Sequence, residues 1–407
     1  MFRTLLLAFG LATASFQACF AEEIKIGVLL PLTGPSSDGG RDMQRGFEIA
    51  TEMQNEKGGI KGDTIKLIMA DAVDVKTGRS EAERLIQSQG VKIIMGTYVS
   101  AIAFAATEVA ERERTFYWEV NSVADAITER GFRYTFRPSI KGSNVGEVGI
   151  DFIKGDLARN LGLEPSKLRL AILHEDSIFG STAAKAIDQY AKAAGVPIVE
   201  SVSYNRSSND LSSVVLRAKA ARPDVIFLAS YIPDGTLLLQ QAKQVGLRPK
   251  AIFTYGVFND PVIRDALGED VNNLYCISWP AGGVELDKLA AGPREDYRAF
   301  SERFKSRFKV DRVPQFAAAA FAGASALYND IIAKAKSLDA DALREAALSV
   351  DIQGSQTAYG FGIKFGPDGQ NQRSHNVAWQ WQGGVPSIVW PAPLATRSPN
   401  FGAPGGK

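Results

Sequence analysis

Residue types that usually carry chemistry are scarce in this chain. Its 407 residues include two histidines, His174 and His375, and two cysteines, Cys19 and Cys276. That supply excludes a Cys/His zinc centre and leaves no pair for an internal disulfide once Cys19 is assigned to the leader described below. Neither histidine lies near a G-x-S-x-G turn, so a serine-hydrolase triad has little to draw on. His174 ends an apolar run close to Asp176, where a structurally satisfied histidine is the simpler reading than a general base. Forty-five acids without paired-site spacing say nothing about acid–base catalysis. No G-x-G-x-x-G follows the first apolar run and no G-x-x-x-x-G-K-[ST] occurs anywhere, which disfavours dinucleotides and ATP. The expectation is a protein without cofactor or metal, and not an enzyme.

Polar and aromatic residues just after apolar runs are more informative, because open parallel sheets bind ligands beyond the carboxyl ends of their strands. Gly96-Thr97-Tyr98-Val99-Ser100-Ala101 leads into a helical pattern, where free backbone N–H groups suit a carboxylate or phosphate. Ser100 adds a hydroxyl there, although a plain helix cap is the competing reading. Aromatics cluster at the same kind of position: Tyr98, Trp118, Phe179, Tyr231, Tyr255, Phe258 and Phe321. Any one of them suits a core; together they suit the wall of an apolar cleft.

The elements that must position these residues follow from periodicity. Short β-branched runs at 24–30, 64–70, 91–96, 115–119, 168–174, 225–229 and 251–255 read as buried strands. Stretches with apolar residues at three- and four-residue spacing, such as Met43, Phe47, Ala50 and Met53, read as helices between them. The alternation predicts an α/β protein with mostly parallel sheets flanked by helices. It pauses at 137–142, resumes at 168 and breaks again at Trp279-Pro280-Ala281-Gly282-Gly283, so one α/β unit is followed by a similar one. Two lobes exchanging segments through three crossings, which could act as a hinge, are the simplest layout. The expected boundaries are 22–140 plus 278–360 for the first lobe and 141–277 plus 361–390 for the second. Residues 391–407, rich in Pro, Gly and Ser, are expected to fray without function.

Composition narrows the partners. Lys+Arg number 46 against 45 Asp+Glu, so no whole-protein field attracts nucleic acid or an anionic membrane. Residues 1–21 read as a secretory signal: Arg3, an apolar stretch from Leu5 to Ala14, then small residues to Ala21. The apolar part is too short for a permanent span. Export is expected, with lipid attachment at Cys19 as the minority alternative.

Ile24-Lys25-Ile26-Gly27-Val28 followed by Pro31-Leu32-Thr33-Gly34-Pro35, and then Asn55-Glu56-Lys57-Gly58-Gly59-Ile60-Lys61-Gly62, resembles the leucine/isoleucine/valine-binding proteins. These are periplasmic solute receptors of ABC importers. The likeness extends through 96–100, 176–180 and 223–231. It implies a two-lobe type I periplasmic-binding fold with three hinge strands, ligand capture by cleft closure, and delivery to a membrane permease with its own ATPases. A monomer is expected. In the family a serine matching Ser100 and the loop matching Asn121 to Val123 hold the ligand carboxylate, Val123 replacing a threonine. Family aromatics match Phe179, Tyr231 and Phe321. Another appears here as Gly39, which is expected to enlarge the pocket. The family acid that holds the ligand ammonium corresponds to Gly256, so either the ligand lacks an amine or another acid substitutes. Glu119 is the candidate substitute, with a structural pairing to Arg137 as its alternative. Tyr98, Ser100, Ala101, Glu119, Asn121, Val123, Phe179, Tyr231, Tyr255, Gly256 and Phe321 are therefore the expected ligand-binding residues. The expected ligand is a hydrophobic amino acid or an amine-free aromatic or branched carboxylate. An exported sensor subunit on the same fold, signalling to a receptor, is the alternative.

Overall fold

The computed structural model describes residues 22–406 apart from residue 257. The expected leader at 1–21, Cys19 included, lies outside the described residues. Five parallel strands build the first sheet: β1 (Glu23–Leu30), β2 (Thr64–Asp71), β3 (Ile93–Gly96), β4 (Phe116–Glu119) and β5 (Thr135–Phe136). Seven build the second: β6 (Leu170–Glu175), β7 (Ile198–Tyr204), β8 (Val225–Ala229), β9 (Ala251–Tyr255), β10 (Tyr275–Ser278), β11 (Val377–Gln382) and β12 (Val385–Trp390). Their orders are β2-β1-β3-β4-β5 and β12-β11-β10-β9-β8-β6-β7. The first five strands of each sheet in chain order are thus arranged alike, and only β11 and β12 add antiparallel pairings. In both sheets the order reverses between the first and third strands, which is where such sheets leave a crevice. Strands β3, β4, β8 and β9 are buried at every position, as expected of strands covered by helices on both faces.

The helices between the first strands are α1 (Ser37–Glu56), α2 (Val75–Glu83) and α3 (Ser100–Arg112). Those among the second set are α4 (Asn144–Phe152), α5 (Ala158–Leu161), α6 (Ile178–Ala193), α7 (Ser212–Ala221), α8 (Ile232–Gln244) and α9 (Pro261–Leu267). After β10 come α10 (Ala291–Phe308), α11 (Gln315–Ala326) and α12 (Ala340–Ser349). Helix α11, Gln-Phe-Ala-Ala-Ala-Ala-Phe-Ala-Gly-Ala-Ser-Ala, is buried at eleven of its twelve positions. Its alanines let α1 come so close that a Cβ on Gly46 would stand 2.5 Å from the carbonyl oxygen of Ala317. Among the described residues, no helix is long and apolar enough to cross a membrane.

The chain passes between the sheets three times, and polar side chains tie these crossings together. Arg137 is wholly buried; it donates to Gln370 Oε1 at 2.5 Å and to the carbonyls of Ser122 and Ala124 at 3.2 and 2.8 Å. The Asn371 amide donates to Pro138 O at 2.7 Å, and Gln315 bridges Ser278 and Trp279. Two expectations need correction. Residues after 361 do not turn directly to the second sheet: Ile363 bridges Ile352, and Phe365 packs against Trp118 and Phe136 of the first. The second sheet is rejoined at β11. Nor does the C-terminal stretch fray. Phe401 stacks on Phe152 with ring centres 6.2 Å apart, Tyr275 donates its hydroxyl to Asn400 O at 2.7 Å, and Asn273 holds Ala403 O at 2.9 Å. One aromatic anchor and a few backbone acceptors outweigh a flexible composition.

Candidate ligand-binding cleft

The facing carboxyl ends of the two sheets enclose a cavity of about 30 Å³, room for a water or two. Its walls are Tyr98 and Ser100 after β3, Asn121 and Val123 after β4, Phe179 after β6, Ser230 and Tyr231 after β8, Tyr255 and Gly256 at the end of β9, Trp279 after β10, and Phe316 on α11. A larger groove of about 870 Å³ lies along α8, α9 and the C-terminal stretch. It involves no strand end of the first sheet, so the convergent loops single out the smaller cavity.

Aromatic rings form most of the wall. Phe179 lies 5.0 Å from Tyr231 and 5.4 Å from Tyr255, while Tyr98 meets Tyr231 at 5.7 Å and Phe316 at 4.5 Å. The Tyr98–Tyr231 contact bridges the two sheets. Burial raises the pKa of all three phenols, so they serve as neutral hydrogen-bonding groups at any ordinary pH.

Ser100 opens α3, and its N–H donates to the Tyr231 hydroxyl at 3.4 Å across the cleft. The Ser100 hydroxyl accepts from Ala124 N at 3.3 Å and makes no capping bond, so it pins the 121–124 loop to α3. Several lining groups have no partner at all: both amide atoms of Asn121, the hydroxyls of Ser230 and Tyr255, and the Trp279 indole N–H. None of these residues is more than 3% exposed. An unpaired buried polar group costs about 1–3 kcal/mol, and four such residues share the wall of this one cavity.

The structure therefore brings together Tyr98, Ser100, Asn121, Val123, Phe179, Tyr231, Tyr255 and Gly256, and leaves three expected residues out. Ala101 is half-buried on the first turn of α3 and does not line the cavity. Phe321 is stacked on Phe300 at 4.2 Å, inside the packing of α10 on α11. Five residues separate it from Phe316, about 140° around a helix, so the two rings point different ways. Glu119 is fully buried, but its carboxylate accepts from the backbone N–H groups of Thr97, Asn121 and Ser122 at 2.7–3.0 Å and from the Thr97 hydroxyl at 2.6 Å. It has no capacity left for an ammonium, and Arg137 is not its partner. Gly39 does not enlarge the cavity either, since a Cβ there would stand 2.7 Å from the Phe316 ring, which fills that space.

Ser230, Trp279 and Phe316 escaped sequence reasoning. The first two directly follow strands, so the strand-end rule contained them; Trp279 was read only as part of a breaking segment. Gly256 adopts φ +107°, a conformation that disfavours any side chain. Cys276, its thiol pushed up to about 12 by burial, donates to Gly256 O at 3.0 Å and is chemically inert there.

The family model for periplasmic binding proteins matches residues 23–384. The chain belongs to this family. A Leu/Ile/Val-binding protein homolog 8 of Brucella suis is 33% identical over 97% of both chains, and a homolog 7 of Brucella abortus is 34% identical over 94% of this chain and 96% of that one. Among solved structures, a leucine-binding protein of Thermotoga maritima superposes with TM-score 0.77 at 21% identity, covering 90% of this chain and 97% of that one. A solute-binding protein of Rhodopseudomonas palustris in complex with benzoate does so with TM-score 0.74 at 19% identity, over 90% and 95%. At that identity these two likenesses speak to the fold, which is the type I periplasmic-binding-protein architecture of two sheets joined by three crossings.

Proposed function

We propose that the protein is an extracytoplasmic solute receptor of an ABC importer. It captures a small carboxylate, either a hydrophobic amino acid or an amine-free aromatic or branched acid, by closing its two lobes over it. The supporting observation is the set of unpartnered buried polar groups on Asn121, Ser230, Tyr255 and Trp279, which share one aromatic cavity drawn from both lobes. A ligand carboxylate would accept from Ser100 N–H in place of the Tyr231 hydroxyl and from the Asn121 amide. Phe179, Tyr255 and Phe316 would cover its apolar body. A ligand touched from both sides binds the shut form better than the open one and stabilises it by that difference, which is how a ligand shifts a hinge equilibrium.

An amine-free ligand fits the wall better than an amino acid does. Among the described residues no carboxylate lines the cavity, and Glu119 is saturated. A buried ammonium there would lack a charge-assisted bond of about 1.5–3 kcal/mol. In this reading residues 1–21 direct export, and the mature receptor works as a monomer in the periplasm beside its permease.

A thermal-shift screen of amino acids against aromatic, branched and keto acids tests the proposal. A ligand at 100 times its dissociation constant adds about 2.7 kcal/mol, several degrees of melting temperature. No shift with any carboxylate would overturn it.

A further inference from the structure

We propose that Arg206 forms a subsite for a second anionic group on the ligand, so that the preferred solute is an amine-free acid with two acidic ends. The inference deepens the solute-binding reading above and rests on it. A second cavity of about 330 Å³ adjoins the first and shares Tyr231 as a wall. The hydroxyl of Tyr231 meets Ser100 N–H on one side, while its ring face carries the Arg206 guanidinium 4.6 Å from the ring centre. Pro35 and Ser36, between β1 and α1, close the second cavity from the first lobe; Arg206 and its neighbours, between β7 and α7, close it from the second.

Among the described residues, Arg206 makes neither a hydrogen bond nor an ion pair with any acid, and its guanidinium lies over the Tyr231 ring. Where an acid is in reach the guanidinium takes it: Arg303 and Arg307 grip Glu56 and Glu52, and Arg217 grips Glu200. The turn that carries Arg206 is held without it, because Asn205 accepts from Ser207 N through its side chain at 2.8 Å and from Ser208 N through its carbonyl at 3.1 Å. Ser36, facing it, makes no capping bond. The one acid lining this cavity, Asp234, is 4% exposed and accepts from the Tyr204 hydroxyl at 2.9 Å. Burial pushes its carboxyl up to about 7 against the opposing pull of the Arg206 charge, so near neutral pH it offers Arg206 only part of a negative charge.

A diacid therefore has a matched pair of anchors. One carboxylate takes Ser100 N–H, the chain passes the edge of Tyr231, and the other meets the guanidinium fork. The two ends thus hold different lobes, so the second acid also favours closure.

Isothermal titration of the mature protein decides this, using matched pairs: benzoate against isophthalate and terephthalate, hexanoate against adipate, and each diacid against its monomethyl ester. The expected result is a diacid preference of about tenfold to a hundredfold. That ratio should collapse towards one in Arg206→Gln, return in part in Arg206→Lys, and shrink in high salt. Equal affinity of monoacid and diacid for the unaltered protein would overturn the proposal. So would an Arg206→Gln variant that weakens both equally, since Arg206 would then only draw anions in or support the fold. If no carboxylate of either kind binds, the solute-binding reading itself falls, and this one with it.

Discussion

The end of β4 and the loop after it carry two kinds of buried polar group within three residues. Glu119 collects three backbone N–H groups and a hydroxyl and is closed upon itself. Asn121, two residues on, has both amide atoms buried and without partners. The second lobe repeats the contrast. Glu175, at the end of β6, accepts from Ser177 N and Gly180 N at 2.9 and 2.7 Å, whereas Ser230, at the end of the adjacent β8, has a hydroxyl bonded to nothing. Strand ends in this fold thus divide their polar groups between two tasks. Saturated carboxylates knot the loops in place, and unsaturated neutral groups are held out by those knots towards the cavity. Burial alone does not distinguish the classes; the count of remaining hydrogen-bond capacity does.

The largest effect that tests this division is on stability. Glu119→Ala should strip acceptors from three buried N–H groups and lower the unfolding free energy by about 3–5 kcal/mol, read by denaturant titration. Asn121→Ala should stay within about 1 kcal/mol of the parent, because no bond is lost. Comparable losses in the two variants would erase the distinction. The next effect is on binding: Asn121→Ala should weaken a carboxylate ligand by about tenfold or more in calorimetry, consistent with the loss of a bond to a charged acceptor.

Asp260 sharpens the comparison through pH. It caps α9 by accepting from Val262 N at 3.2 Å, but its other oxygen is buried and unpartnered. Burial pushes it up to about 7, with Asp42 and Asp38 adding repulsion and Arg312 opposing them. Between about pH 4 and 7 the folded chain keeps a proton that the unfolded chain releases, so stability falls as pH rises and the loss is complete only above about 7. Asp260→Asn keeps a capping oxygen and carries no charge. It should flatten that slope and melt higher than the parent at pH 8 by roughly 1–3 kcal/mol equivalent. A pH profile parallel to the parent's would show that Asp260 is ionised and solvated. The smallest effect belongs to Tyr231→Phe, which removes the hydroxyl competing for Ser100 N–H. Ligand affinity should rise about two- to tenfold; a fall instead would mean that the hydroxyl donates to the ligand.

Much of this was legible in the residues themselves. Continuous apolar runs announced strands buried on both faces, and the rule that open sheets bind beyond their strand ends drew attention to Tyr98, Ser100, Phe179 and Tyr231, with Asn121 added by the family resemblance. The misses share one cause. Helix α11 is apolar all round, so periodicity had no polar face with which to say that Phe316 rather than Phe321 turns to the cleft. Glu119 had the right address and the wrong availability, because three of its partners are backbone groups that no residue type advertises. Gly39 looked like added space until α11 proved to fill it.

Local alternation and apolar period, properties of neighbouring residues, sufficed to determine the α/β class, the doubled unit and the strand-end addresses. Tertiary packing alone decided which polar groups have spent their hydrogen-bonding capacity, which aromatic faces the cleft, and that Arg206 lies over Tyr231 without an ion-pair contact. Each of these depends on atoms brought together from segments far apart in the chain, and hydrogen-bond saturation belongs to such an assembly rather than to any residue in it.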